Sequence, residues 1–423
     1  MGTRGALAIR PEPSTQGWCT SEQPHIEWTA ATRALREVES GERAPGRSGL
    51  LPGTAGRVTP LHQPEAPPHA GQGERKTDMA LRRVTGVIGA LVGAGALVLS
   101  GLGVGSANAS PGSCGPVRLI IDTDIFTDVD DVGALAVANA LHDQGVVQLL
   151  GVMVDTRSRW GAGAVDAINT YYGHGATPVG TLKPTDDEVA TPNYAQPIAD
   201  LFPHDLPDGA RAPDAVALYR KLLADQPDHS VVIAAIGAET NLAHLLDSPP
   251  DMASGLSGQR LVAEKVSKLV MMGGRYPHGT EGNFARDAQS AVRVVNSWPT
   301  RVVFSGYEIG VSIMTGSKLT ATPATNPVRQ AYEIFAGSGG DRPSWDLTAV
   351  YVAGKGPGGV FSLSAPGRNT VGPDGANSWN NVSNGNQHYL LASLPSDRVG
   401  EPSGTVADRL NELMTQAPQD DET

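Results

Sequence analysis

From residue 117 onward, compact apolar runs alternate with stretches that carry Val, Leu and Ala without strict alternation. The first run, residues 117–121, is rich in Ile, Leu and Val and follows a Gly-Pro pair, the pattern of a buried strand. Residues 132–141 follow as a helix ending near Gly145. The same reading predicts strands at 148–154, 177–182, 230–237, 268–272 (closed by Gly273-Gly274) and 301–305. Helices are predicted at 164–172, 214–224, 240–246, 288–298 and 406–415. Residues 183–213, rich in Pro, Asp and Thr, read as one long loop over a site, and 356–389, dense in Gly, Asn and Ser, as hairpins or loops. Strand–helix alternation of this kind predicts an α/β fold: an open, mainly parallel sheet with helices on both faces.

The first quarter of the chain breaks the pattern. Residues 1–78 are rich in Pro, Gly, Arg, Glu and Ser, which implies a disordered segment or an over-extended start. Met79, Arg82 and Arg83, the apolar stretch 87–104 and Ala107-Asn108-Ala109 then form the three parts of a secretory signal peptide, residues 79–109. Translation is expected to begin at Met79 and cleavage to follow Ala109, giving a secreted protein without a membrane association. The alternative is an uncleaved membrane anchor, since the stretch is long enough to span a bilayer. The Arg pair alone leaves the export route open. Of the two cysteines, Cys19 and Cys114, cleavage leaves one, so a packed core and not a disulfide must hold the exported chain. About 310 of the 423 residues then remain, enough for a single α/β domain over 116–418. A net charge of −12 offers no basic patch and disfavours nucleic acid as a partner; a homo-oligomer remains open.

The candidate chemistry lies directly after the first strand, where Asp122, Asp124, Asp128, Asp130 and Asp131 crowd a strand-to-helix loop. Open α/β sheets place their ligands at that end of the strands. Crowded carboxylates repel unless protons or a cation neutralise them, and an all-oxygen cluster suits a hard cation such as Ca²⁺ or Mg²⁺ over zinc. The alternative is a solvated acidic loop with helix-capping aspartates.

Asp122-Thr123-Asp124 followed by Asp128-Val129-Asp130-Asp131 resembles the signature of the inosine–uridine-preferring nucleoside hydrolases. Further stretches are similar to that family's motifs, in the same order: Gly237-Ala238-Glu239-Thr240-Asn241-Leu242-Ala243, Val270-Met271-Met272-Gly273-Gly274, Glu281-Gly282-Asn283-Phe284 and Ser344-Trp345-Asp346. The resemblance implies a nucleoside hydrolase-like fold and calcium-dependent cleavage of ribosyl C–N bonds, the ion holding the ribose 2′- and 3′-hydroxyls and the attacking water. By the same resemblance Asp124 is a metal ligand and the catalytic base. Asp131, Asp346 and the carbonyl of Ile236 are further ligands. Asp130, Glu281, Asn283 and Trp345 are expected to bind substrate, a nucleoside or related riboside.

Three departures from the pattern bear on the site. Residues 125–129 separate Asp124 from the Asp-Asp pair, where three residues are usual, so Asp128 is extra: a ligand in place of Asp130, or a helix cap. A branch of the family carries this Asp-Val-Asp-Asp form. Trp345 stands where many members have the histidine that protonates the leaving base; it stacks on a ring or merely fills core. The asparagine expected after the second strand is absent, with Ser158 near its place. Asp122 has no assigned role. Arg157, Arg159 and Arg342 near the inferred rim are candidates for an anionic group or ordinary surface ion pairs. The histidines show no zinc-ligand spacing. Two competing functions remain: a riboside-binding protein with little turnover, and a haloacid-dehalogenase-like phosphatase, which lacks the expected Thr or Val at Phe126. Exported material is expected to begin at Ser110; intact-mass measurement checks this, and a mature product retaining residues before Met79 overturns it.

Overall fold

The computed structural model describes residues 115–126, 128–392 and 405–419. The segment 1–78 and the expected signal peptide or anchor therefore lie outside the described residues. No helix among the described residues is long and apolar enough to cross a membrane.

Six strands form the first, all-parallel part of the sheet: β1 (Val117–Thr123), β2 (Val147–Val154), β3 (Val179–Thr181), β4 (Val231–Ala235), β5 (Val266–Met272) and, after a two-residue β6 (His278–Gly279), β7 (Arg301–Ser305). Their spatial order is β3-β2-β1-β4-β5-β7. Register runs from Leu119 to Leu149 of β2 on one side and to Val232 of β4 on the other, all parallel. Both faces of β1 are apolar. Leu119 and Ile121 join one hydrophobic cluster, and Ile120 joins the other. A strand covered by helices on both sides reads as a continuous apolar run, which is why β1 and β4 stand out in the sequence.

The first cluster is covered by α1 (Asp130–Asp143) and α2 (Gly161–Tyr171). The second is covered by α4 (Ala215–Ala224), α5 (Thr240–Asp247) and α8 (Ala288–Ser297), with α3 (Ala195–Leu201), α6 (Gly258–Lys265) and α7 (Gly282–Arg286) intervening in the chain. After α9 (Tyr307–Gly310) and α10 (Pro327–Ala336), the buried helix α11 (Trp345–Lys355) packs against α1. Gly133 makes that approach possible, since a Cβ there would stand 2.9 Å from Leu347 Cδ1. Met314–Thr315 (β8) and Arg342–Pro343 (β9) pair as a separate antiparallel ribbon leading into α11.

The C-terminal strands β10 (Phe361–Leu363), β11 (Gly367–Val371), β12 (Asn377–Asn381) and β13 (Gln387–Ala392) extend the sheet beyond β7. β13 lies parallel to β7, whereas β11, β12 and β6 are antiparallel, so the Gly/Asn-rich region is strand and hairpin. The closing helix α12 (Val406–Met414) begins with a Thr405–Asp408 capping box.

Two expectations need correction. The stretch 183–213 is no single loop, because it holds α3 and a 3₁₀ turn at Gly209–Arg211. Among the described residues, six helices (α3, α6, α7, α9, α10 and α11) have no counterpart in the sequence reading. In α11 every residue from Asp346 to Ala353 is buried, so it lacks the polar stripe that marks an amphipathic helix.

Strand order reverses between β1 and β4, and ligands in such sheets bind outside the strand ends at that point. Gly237, just past β4, lets the two strand ends close together. A Cβ on it would lie 2.4 Å from Asp155 Oδ2 and 2.7 Å from the Asp124 nitrogen. Gly237→Ala is expected to lower stability by about 1–3 kcal/mol through this overpacking. Gly255→Ala, whose Cβ meets nothing within 4 Å, should stay close to the parent. Urea unfolding of the two variants checks the contrast.

Candidate active site

A cavity of about 290 Å³ opens at the reversal point. Its buried floor is made by Asp124 after β1, Asp130 at the start of α1, Ile236 after β4 and Asp346 in the first turn of α11. Glu281, Asn283 and Met272 line it near β5. Its half-exposed side carries Asp128, Tyr307, Arg342 and Trp345.

Asp130, Asp131 and Asp346 bring one carboxylate oxygen each within 4.8 Å of the others. They come from the first turns of two packed helices, whose N-terminal dipoles favour negative charge. The Asp346 backbone N–H donates to Asp130 Oδ2 at 3.2 Å, and the Thr123 hydroxyl donates to Asp131 Oδ1. Asp131 Oδ2 is buried and has no hydrogen-bond partner among the described residues. Burial, and then the neighbouring carboxylates, push all three groups well above the ordinary carboxylate range. An all-oxygen, partly orphaned set of this kind is short of positive charge and fits a hard cation.

Asp124 lies beside this trio, and its Oδ2 pairs with Arg286 at 2.6 Å. Glu281 caps α7: Oε1 accepts from Asn283 N at 2.8 Å, and Oε2 accepts from Gly274 N at 3.0 Å and Phe284 N at 3.3 Å. Asn283 is fixed through Nδ2, which donates to the Met272 carbonyl at 3.1 Å. Trp345 donates its indole N–H to the Tyr307 carbonyl at 2.9 Å, and its ring lies 5.4 Å from the Tyr307 ring. The indole therefore presents a face and has no free proton to give.

Most residues expected from the sequence thus meet in one cavity: Asp124, Asp128, Asp130, Ile236, Glu281, Asn283, Trp345 and Asp346, with Asp131 adjoining. Two do not line it. Asp122 is buried beneath, accepting from Tyr219 Oη at 2.7 Å and from Asn241 Nδ2 at 3.3 Å. Burial raises it to about 7 against those hydrogen bonds. Its place is to tie the end of β1 to α4 and α5. Ser158 lines a neighbouring cavity of about 530 Å³, with Phe126 and Asp155.

Asp128 does not cap α1. It is outside the trio, and Val129, not Asp128, stands at the cap position of α1. Its carboxylate instead holds Arg342, with Nε donating to Oδ1 at 2.9 Å. Arg159 forms ion pairs with Asp187 at 2.8 Å and with Asp208, and Arg157 is exposed beside the second cavity.

Sequence reasoning passed over Arg286, Tyr307 and Asp155. Asp155 directly follows β2 and has both carboxylate oxygens buried without hydrogen-bond partners among the described residues. The strand-end logic that singled out Asp124 applies equally to it. Arg286 borders both cavities, and no local pattern marks it.

An acid-floored cavity at the reversal point of a parallel sheet defines a class of α/β enzymes that act on small polar ligands. The chain belongs to the inosine-uridine preferring nucleoside hydrolase family, whose description matches residues 119–354. It is accordingly a hydrolase acting on N-glycosyl bonds. None of the curated proteins compared with it matches.

Solved structures share the fold. The purine-preferring ribonucleoside hydrolase from Gardnerella vaginalis is 20% identical with a TM-score of 0.50, over 70% of this chain and 97% of that one. A plant nucleoside hydrolase is 17% identical with a TM-score of 0.52, over 71% and 99%. The type III effector XopQ, complexed with adenosine diphosphate ribose, is 15% identical with a TM-score of 0.50, over 72% and 95%.

Tyr219→Phe is expected to cost about 1–3 kcal/mol by leaving buried Asp122 without its hydroxyl donor. Denaturant unfolding checks this.

Proposed function

We propose that the protein is an exported, calcium-dependent hydrolase of ribonucleosides or related ribosides, of the Asp-Val-Asp-Asp branch. The single observation that carries this reading is the convergence of Asp130, Asp131 and Asp346 beside Asp124 in one cavity. Asp124, Asp131, Asp346 and the Ile236 carbonyl would hold the ion, with Asp130, the third member of the trio, binding the sugar. When bound, calcium supplies an oxygen-preferring centre of high coordination number that holds a diol and a water and acidifies the water modestly.

The remaining work falls to side chains. Asp124 takes the proton of the attacking water, since modest acidification leaves a base necessary. Glu281 and Asn283 bind ribose hydroxyls: backbone N–H groups fix the Glu281 carboxylate, and Asn283 Oδ1 accepts no hydrogen bond among the described residues while its Nδ2 is tied to Met272. Breaking the C1′–N bond builds positive charge on the sugar, and the acidic floor is complementary to it. Trp345 offers its indole face to the leaving ring. The XopQ complex supports extending the substrate class from nucleosides to other ribosides.

Purified protein is expected to release ribose from nucleosides, to stop with chelator and to recover with calcium. Asp124→Asn and Asp346→Asn should each lower kcat by on the order of 10²–10⁴. Near-parental turnover in both variants overturns the assignment. Tight riboside binding with no ribose released points instead to a binding protein.

A further inference from the structure

The side of the cavity away from the carboxylate floor must deal with the base as it leaves. The nitrogen that departs from C1′ keeps the bonding electron pair, so it needs a proton or a cation beside it. Trp345 cannot give that proton, because its indole N–H is committed to the Tyr307 carbonyl at 2.9 Å. Arg286 is engaged at the opposite, water-activating end by Asp124 Oδ2 at 2.6 Å. Arg342 remains on the aromatic side, where it lines the cavity.

Its guanidinium lies 5.4 Å from the Trp345 ring centre and 5.3 Å from that of Phe335. Nε donates to Asp128 Oδ1 at 2.9 Å, and Nη2 donates to Asp128 Oδ2. Nη1 makes no hydrogen bond among the described residues. A two-point grip by a carboxylate sets the plane of the fork and leaves one edge available. Asp128 is itself steadied, since its Oδ1 accepts from Val129 N at 2.7 Å and its carbonyl from Tyr194 Oη.

We propose that Arg342 is a catalytic residue for leaving-group departure, donating from Nη1 to the base nitrogen, and that Asp128 is its positioning residue. The inference rests on the nucleoside hydrolase reading above. Water oxygen bonds to C1′ and one water proton passes to Asp124, while the C1′–N electron pair goes to the base. The guanidinium stabilises that negative charge without losing a proton, and the base takes its proton from solvent. The extra aspartate of the loop then substitutes, through Arg342, for a missing proton donor.

The test compares two substrates that differ in the leaving group. Inosine expels a basic nitrogen, whereas a nitrophenyl riboside expels an anion that is already stable. For Arg342→Met, the ratio of kcat on inosine to kcat on the nitrophenyl riboside is expected to fall about 100-fold. Asp128→Asn should shift the same ratio in the same direction by less, a change that a merely structural role would not produce. If Arg342→Met does not fold, Arg342→Lys carries the test, since it keeps the charge but loses the fork, and its ratio should also fall. Equal losses on both substrates overturn the proposal. Parent protein that releases ribose from neither substrate overturns the hydrolase reading itself, and this inference with it.

Discussion

Negative charges packed where water cannot reach them repel, and the rest of the structure is arranged around making that repulsion bearable. Asp130, Asp131 and Asp346 are buried within a few ångströms of one another, with Asp124 beside them. Two helix N-termini, a threonine hydroxyl and a backbone N–H each remove part of the strain. They do not remove all of it, because Asp131 Oδ2 stays orphaned. What remains is an appetite for positive charge, which a bound cation would meet first and a sugar becoming cationic would meet in turn. Binding and catalysis draw on the same electrostatic deficit.

The scaffold beneath is built to keep that deficit in place. β1 brings two aspartates of opposite duty: Asp124 turns up into the cavity, and Asp122 turns down to Tyr219 and Asn241. Asn241 also donates to the Val154 carbonyl at 3.2 Å, joining α5 to the end of β2. Asn241 of the family motif therefore acts as a brace under the strand ends, one layer below the cavity. Gly237 completes it by allowing β4 to end against Asp124.

Much of this was legible in the sequence, for a physical reason. Buried parallel strands are apolar on both faces and interrupt the chain visibly, so β1, β2, β4, β5 and β7 were readable. The motifs on their carboxyl ends fell into one cavity as the topology requires. α11 escaped because a helix buried on all sides has no period to detect. The Asp128–Arg342 pair escaped because its members stand 214 residues apart and only folding makes them neighbours. Asp155 had a signal in its place at the end of β2; only its burial away from hydrogen-bond partners is a property of packing.

The β8–β9 ribbon and the start of α11 place Arg342, Trp345 and Asp346 on one five-residue stretch. Wall and floor of the cavity are thereby spliced into a single strip of chain. Exchanging the side chains at 342 and 345 would reshape the wall while leaving Asp346 in the floor. Lengthening or shortening the strip by even one residue would throw the two ends out of step. Drift in specificity along this lineage should therefore proceed by replacement at fixed length, with insertions confined to loops elsewhere.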